Sequence, residues 1–206
     1  SRNRRIGLIM KLLLENWRQY LKENKLRVFD FDDTLVMTDS VAYLTQADGT
    51  ERELTPAEFA TYELKDGESY EEDAFREFGE VENPREVQQM MNVLRNVVNK
   101  ELSEPEGRKI VILTARAHHA RLPIVKYLES VGLDTSKIEV HTLQDADPES
   151  KSGWVESQIL QHGFNDIEFF DDSLENVRAV QSLKDKYNVR LRSRQISYGR
   201  GGDKGE

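Results

Sequence analysis

The apolar positions fall into short runs and helical stripes that alternate along most of the chain. Leu26 to Phe31 (LRVFDF) is a compact apolar run ending in carboxylates, the pattern of a buried strand. Upstream, Ile9, Leu13, Trp17, Tyr20 and Leu21 recur at helical spacing and predict an amphipathic helix over Leu8–Glu23. Val41–Leu44 and Glu51–Leu54, joined by Ala47-Asp48-Gly49, predict a hairpin. Thr55-Pro56 opens a helix to about Leu64, with Thr55 as N-cap and Pro56 at the first helical position. Pro84 is read as the start of a longer helix to about Lys100, with Val87, Met90, Met91, Leu94 and Val98 on its apolar face.

From Lys109 the pattern becomes regular. Strands are expected at Lys109–Leu113, Ile138–Thr142, Ile167–Phe170 and Val189–Leu191, and helices at Ala120–Val131, Lys151–His162 and Leu174–Tyr187. Strands separated by single helices imply right-handed crossovers. The expected fold class is therefore α/β, a doubly wound parallel sheet with helices on both faces. In such sheets ligands bind at the carboxyl ends of the strands. About eighty residues lie between Asp30 and Thr114, far more than one crossover helix needs, so a small cap inserted after the first strand is expected. The division is an N-terminal helix (1–25), a core (26–37 and 106–192), a cap (38–105) and a flexible tail (193–206).

Polar clusters sit at the ends of three of these strands. They are Asp30-Phe31-Asp32-Asp33-Thr34-Leu35, Thr114-Ala115-Arg116 and Asp171-Asp172-Ser173, and Lys151 opens the helix before the last of these strands. Carboxylates from two strand ends facing one crevice repel unless a cation lies between them. A set of oxygen ligands without His or Cys suits a hard cation, and magnesium needs only one or two carboxylates. The chain has no cysteine, which excludes disulfides, zinc-thiolate sites and thiol chemistry.

Charge narrows the partners. The net charge is −9, and fourteen acidic against four basic side chains lie between Asp48 and Glu86. That acidic stretch argues against an extended nucleic-acid footprint, which wants a basic stripe. No membrane span or cleavable leader is read from the sequence, and a cytoplasmic location is expected.

The segment FDFDDTL resembles the first motif of the haloacid dehalogenase (HAD) superfamily of phosphohydrolases, Asp-x-Asp-x-Thr after a hydrophobic strand. ILTAR, Ile112–Arg116, resembles the second motif, Lys151 is placed like the third-motif lysine, and FFDDS, Phe169–Ser173, resembles the fourth. The motifs keep their order from Leu26 to about Leu191. The resemblance implies a Rossmann-like core and a magnesium-dependent phosphatase working through an aspartyl-phosphate. Asp30 would be the nucleophile and a metal ligand. Asp32 would be the general acid/base, its backbone carbonyl rather than its carboxylate facing the metal. Thr114, with Ala115 beside it, would hold a phosphoryl oxygen, and Lys151 would offset charge between nucleophile and phosphate. Asp172 aligns with the directly coordinating acid and Asp171 with a second or water-mediated ligand, an order that could be reversed. Arg116 could contact substrate phosphate or form a structural salt bridge. The presence of Asp32 favours a phosphatase over dehalogenase or ATPase members, which lack an aspartate there.

Other polar residues have plainer readings. Asp33 reads as a turn residue and Thr34 as a loop hydrogen-bonder. His118 and His119 read as a solvated helix entry, His141 as a strand-end histidine, and the run Glu68–Asp73 as a solvated face. Asn176 could hold the acidic loop or cap it. The substrate expected first is a phosphorylated small molecule or nucleotide. The alternatives are a nucleic-acid end, a phosphotransferase acceptor, or phosphate binding without catalysis on the same scaffold. Tyr43, Tyr62, Tyr70, Phe75 and Arg76 in the cap could touch substrate or form its small core.

Overall fold

The computed structural model describes residues 24–59, 62–71, 74, 79–103 and 107–197. The helix expected over Leu8–Glu23 lies outside them, as do Phe75 and Arg76. A five-stranded parallel sheet flanked by helices organises the chain. Its strands are β1 (Lys25–Phe29), β6 (Arg108–Thr114), β7 (Ile138–Thr142), β8 (Asp166–Asp171) and β9 (Arg190–Gln195), in the spatial order β7-β6-β1-β8-β9. The chain runs outward from β1 through β6 to β7, then returns to the other side of β1 for β8 and β9. The order therefore reverses beside β1, the place where an α/β sheet leaves a crevice at its carboxyl edge.

Successive strand residues divide between two apolar clusters, as the period of two requires. Phe29, Ile110, Ile112, Ile138 and Val140 join Met90, Met91, Leu94 and Val98 of α2 (Gln88–Ser103) and Ile124 and Leu128 of α3 (Arg121–Ser130). Leu26, Val28, Val111, Leu113, Ile167 and Phe169 join Val155 and Ile159 of α4 (Pro148–His162) and Val177 and Val180 of α5 (Leu174–Gln181). Leu183 of α6 (Leu183–Tyr187) closes the second cluster. Phe29 stacks on Phe170 across β1 and β8, centroids 4.9 Å apart. Arg27 interrupts the apolar run of β1, yet it is buried, donating to Asp166 and lying 3.3 Å from a Glu168 carboxylate oxygen.

The helix that carries Lys151 is well bounded by its sequence. Asp147 caps α4 by accepting from Glu149 N, Pro148 takes the first turn, and Gly163 ends the helix at φ 67°.

The segment after β1 contains two small antiparallel pairs. β2 (Val36–Met37) pairs with β5 (Arg85–Glu86), and β3 (Ala42–Thr45) pairs with β4 (Glu51–Leu54) around Gly49 at φ 81°. Ala42, Leu44 and Leu54 form a small core with Phe59, Tyr62 and Tyr70. Thr55 and Glu58 form a capping box at α1 (Pro56–Phe59).

Three expectations are corrected. Pro84 does not start a helix, because Arg85–Glu86 is taken by pairing with Val36–Met37 and the helix begins at Gln88. The helix opened by Thr55-Pro56 does not reach Leu64, since residues 62–65 have no regular structure. The last strand does not stop at Leu191 but continues to Gln195, in register with Asp171. No helix among the described residues is long and apolar enough to cross a membrane.

Candidate metal and phosphate centre

The site is built where β1 and β8 end together. Asp30 N donates to Phe170 O at 2.9 Å, a last rung that holds the two carboxylate-bearing strand ends side by side. Asp30, Asp171 and Asp172 each offer an oxygen, and these atoms lie within 4.8 Å of one another, a group that could hold a metal ion. Asp30 and Asp171 are buried and Asp172 is half-buried.

Lys151 bridges two of the three. Its Nζ donates to Asp30 Oδ1 and to Asp171 Oδ2, each at 2.7 Å. Asp171 is further fixed at its other oxygen, which accepts from Ser173 N and Asn176 Nδ2, both at 2.9 Å. Asn176 thus holds the acidic loop, while Ser173 caps α5 by accepting from Asn176 N. Both Asp171 oxygens are engaged. The Asp172 carboxylate makes no side-chain hydrogen bond or ion pair among the described residues.

The electrostatics follow from this crowding. Burial raises the Asp30 carboxyl well above the usual carboxylate range, Lys151 opposes the rise, and the neighbouring Asp171, Asp172 and Asp32 add to it. Burial, then Asp171 and Asp33, push the Asp172 carboxyl up to about 7. Burial works against the charge of Lys151, but the carboxylates of Asp30 and Asp171 outweigh it and raise its pKa. One ammonium against three clustered acids leaves a net demand for positive charge. An all-oxygen donor set of this kind fits a hard divalent cation such as magnesium.

Asp32 lies outside that group. The intervening turn is tight, with Leu35 N and Val36 N both donating to Phe31 O and Asp33 in the left-handed region at φ 52°. The Asp32 carboxylate faces Arg116, whose Nε and Nη2 donate to its two oxygens at 2.8 and 2.7 Å. Arg116 thus makes a salt bridge with Asp32. Thr114 is buried at the end of β6 and its Oγ1 accepts from Arg116 N at 3.2 Å, while Ala115 is half-buried.

Two partners of this cluster have no signal in the sequence. Thr38 Oγ1 accepts from Arg116 Nη2 at 3.0 Å, and the Glu80 carbonyl accepts from Nη1 at 2.5 Å. Glu80 contributes main chain only, so no residue type announces it. His118 and His119 are exposed at a short 3-10 turn before α3, and His118 Nδ1 meets Thr142 Oγ1 at 2.9 Å. His141 rests against Trp154, and burial lowers its pKa.

An open cavity of about 640 Å³ separates Phe59, Tyr62 and Tyr70 from the 144–148 loop, with Glu175 on its wall. Asp30, Asp32, Lys151, Asp171 and Asp172 are not among its lining residues.

Comparison of the chain with protein-family models, with curated proteins and with solved structures gives no match.

Proposed function

We propose that this chain is a HAD-like, magnesium-dependent phosphatase that hydrolyses a phosphomonoester through an aspartyl-phosphate on Asp30. The observation that carries the reading is the joining of Asp30, Asp171 and Asp172 around one point, with Lys151 bridging the first two. The proposal includes the finer architecture, a doubly wound core with the segment after β1 acting as a cap.

Asp30, Asp172 and the Asp32 carbonyl would hold the ion, and Asp171 would act as the scaffold that fixes Lys151 and the acidic loop. The ion would neutralise charge on the phosphoryl group, which supplies much of the catalysis in phosphoryl transfer. An Asp30 carboxylate oxygen forms a bond to phosphorus as the bond to the leaving oxygen breaks. The Asp32 carboxyl gives its proton to that oxygen. Asp32, now a carboxylate, takes a proton from water as the water oxygen bonds to phosphorus. The bond between phosphorus and Asp30 then breaks and inorganic phosphate leaves. Lys151, held between Asp30 and Asp171, keeps the nucleophile oriented and offsets its charge. Thr114 and Ala115, at the end of the neighbouring strand β6, would receive a phosphoryl oxygen.

The substrate expected first is a small phosphorylated molecule or a nucleotide. The test is phosphate release from a generic aryl phosphate. Turnover is expected with magnesium, with loss on chelation and a fall of at least about a thousandfold for Asp30→Asn. Turnover that survives Asp30→Asn in a correctly folded variant ends the proposal. A panel of mononucleotides, sugar phosphates and end-phosphorylated oligonucleotides then ranks the substrates.

A further inference from the structure

Arg116 is a buried side chain held at several points, and two of its donors meet one carboxylate. Its side chain is 1% exposed. Two of its donors form a parallel fork on Asp32, at 2.8 and 2.7 Å. Nη2 also donates to Thr38 Oγ1, Nη1 donates to the Glu80 carbonyl, and the guanidinium carbon lies 5.5 Å from the Phe31 ring centroid. Its own main chain is tied to the strand end, since Arg116 N donates to Thr114 Oγ1 and Arg116 O accepts from Gln144 N. A planar guanidinium held at this many points fixes direction as well as charge.

The partner of this fork is the one carboxylate of the Asp30-x-Asp32 pair that stays outside the metal-binding group. Two roles for a buried arginine beside a phosphate centre make different demands. A phosphate ligand needs free donors aimed at the crevice, and four donor contacts here go to Asp32, Thr38 and Glu80. A positioning residue needs a rigid mount and a two-point grip on the carboxylate it positions, and both are present. We propose that Arg116 is the positioning residue for Asp32, holding its carboxylate away from the cation and toward the leaving oxygen. Because Thr38 and Glu80 belong to the segment inserted after β1, the same guanidinium makes the orientation of Asp32 depend on the seating of that segment.

This inference rests on the acid/base role of Asp32 proposed above, and the experiment separates the two. Wild type, Asp32→Asn, Arg116→Lys and the double variant are compared in single turnovers with magnesium. The substrates are 4-nitrophenyl phosphate, whose leaving group departs without a proton, and a simple alkyl phosphate, whose leaving oxygen needs one. A wild type inactive on both overturns the phosphatase reading and this inference with it. With an active wild type, Arg116→Lys is expected to lose roughly 10- to 100-fold in alcohol release, with KM within about 2-fold, and under about 3-fold in nitrophenol release. The double variant is expected to be no slower than Asp32→Asn alone, because a residue acting only through Asp32 has nothing left to position. Equal losses on both substrates, a rise in KM at constant turnover, or multiplied losses in the double variant overturn the inference. If Arg116→Lys melts well below the wild type, Thr38→Val replaces it. That variant keeps every charge, loses the Arg116 contact together with a 3.4 Å hydrogen bond from Thr38 Oγ1 to Asp32 Oδ1, and is expected to show a smaller loss of roughly 2- to 5-fold, again confined to the alkyl substrate and absent when Asp32 is already Asn. A loss in it that ignores the leaving group overturns the inference equally.

Discussion

Replacing Lys151 with methionine removes the one ammonium between Asp30 and Asp171 and leaves an apolar chain of similar length in a buried slot. The gross attraction lost is large: at an effective dielectric of about 20, each 2.7 Å contact amounts to roughly 6 kcal/mol. Dehydrating three ions opposes that attraction, so the net loss on breaking a buried pair is about 3–5 kcal/mol. Two carboxylates facing each other within 4.8 Å, repelling by at least roughly 3 kcal/mol when both are charged, place the expectation in the upper part of that range. For a chain of 206 residues this corresponds to a fall in Tm of about 6–20 °C in metal-free buffer. A divalent cation supplies the missing positive charge, so magnesium is expected to raise the Tm of Lys151→Met by more than it raises that of the wild type. Thermal melts of both proteins in chelator and in millimolar magnesium read this directly. A variant that melts within about 2 °C of the wild type in chelator would show that the lysine does not hold these carboxylates together. An identical magnesium increment in the two proteins would separate the cation from the cluster.

Two further outcomes follow from charge placement. The Asp172 carboxyl stands at about 7 against an ordinary 3.8, so its neutral form is the one the fold favours. That contribution to stability is complete below about pH 4 and is lost as pH rises through about 7 in the absence of metal. Metal needs the carboxylate, so the Tm increment from magnesium is expected to be small near pH 5.5 and several degrees larger near pH 8; equal increments would refute the assignment of Asp172 as a ligand. In the sheet, Arg27→Ala leaves the buried Asp166 carboxylate to a longer 3.7 Å contact with Arg192 and should cost about 3–5 kcal/mol by denaturant unfolding, and a loss under about 1 kcal/mol would refute the pairing.

What the sequence made legible was local in origin. β7 was read at its true bounds because Ile138, Val140 and Thr142 point one way and alternate with polar residues. The end of α4 was readable from Gly163, and the strand-end acids from their place after apolar runs. Contacts made at long range were the ones missed. Pro84 followed by a helical stripe looks like a helix start, and only pairing with Val36–Met37, nearly fifty residues earlier, turns Arg85–Glu86 into a strand. β9 looked finished at Leu191 because its remaining residues are polar, yet its ladder with β8 continues to Gln195. Arg27 interrupts an apolar run, and the partners that allow its burial, Asp166 and Glu168, lie about 140 residues later on β8. At the site, Asp30, Asp32, Lys151, Asp171 and Asp172 could be nominated by side-chain type, but the joining of Asp32 to Arg116 spans 84 positions and no spacing rule reaches that far.

The contact between Arg116 and position 80 is made through a peptide oxygen. Nearly any amino acid at that position presents the same oxygen, so position 80 can change in residue type while the mooring to the strand end stays. Length is another matter: removing a residue between Gly79 and Asn83 would swing the oxygen out of reach. That position is thereby open to substitution and closed to deletion, because what Arg116 and Ser40 grip there is the chain itself.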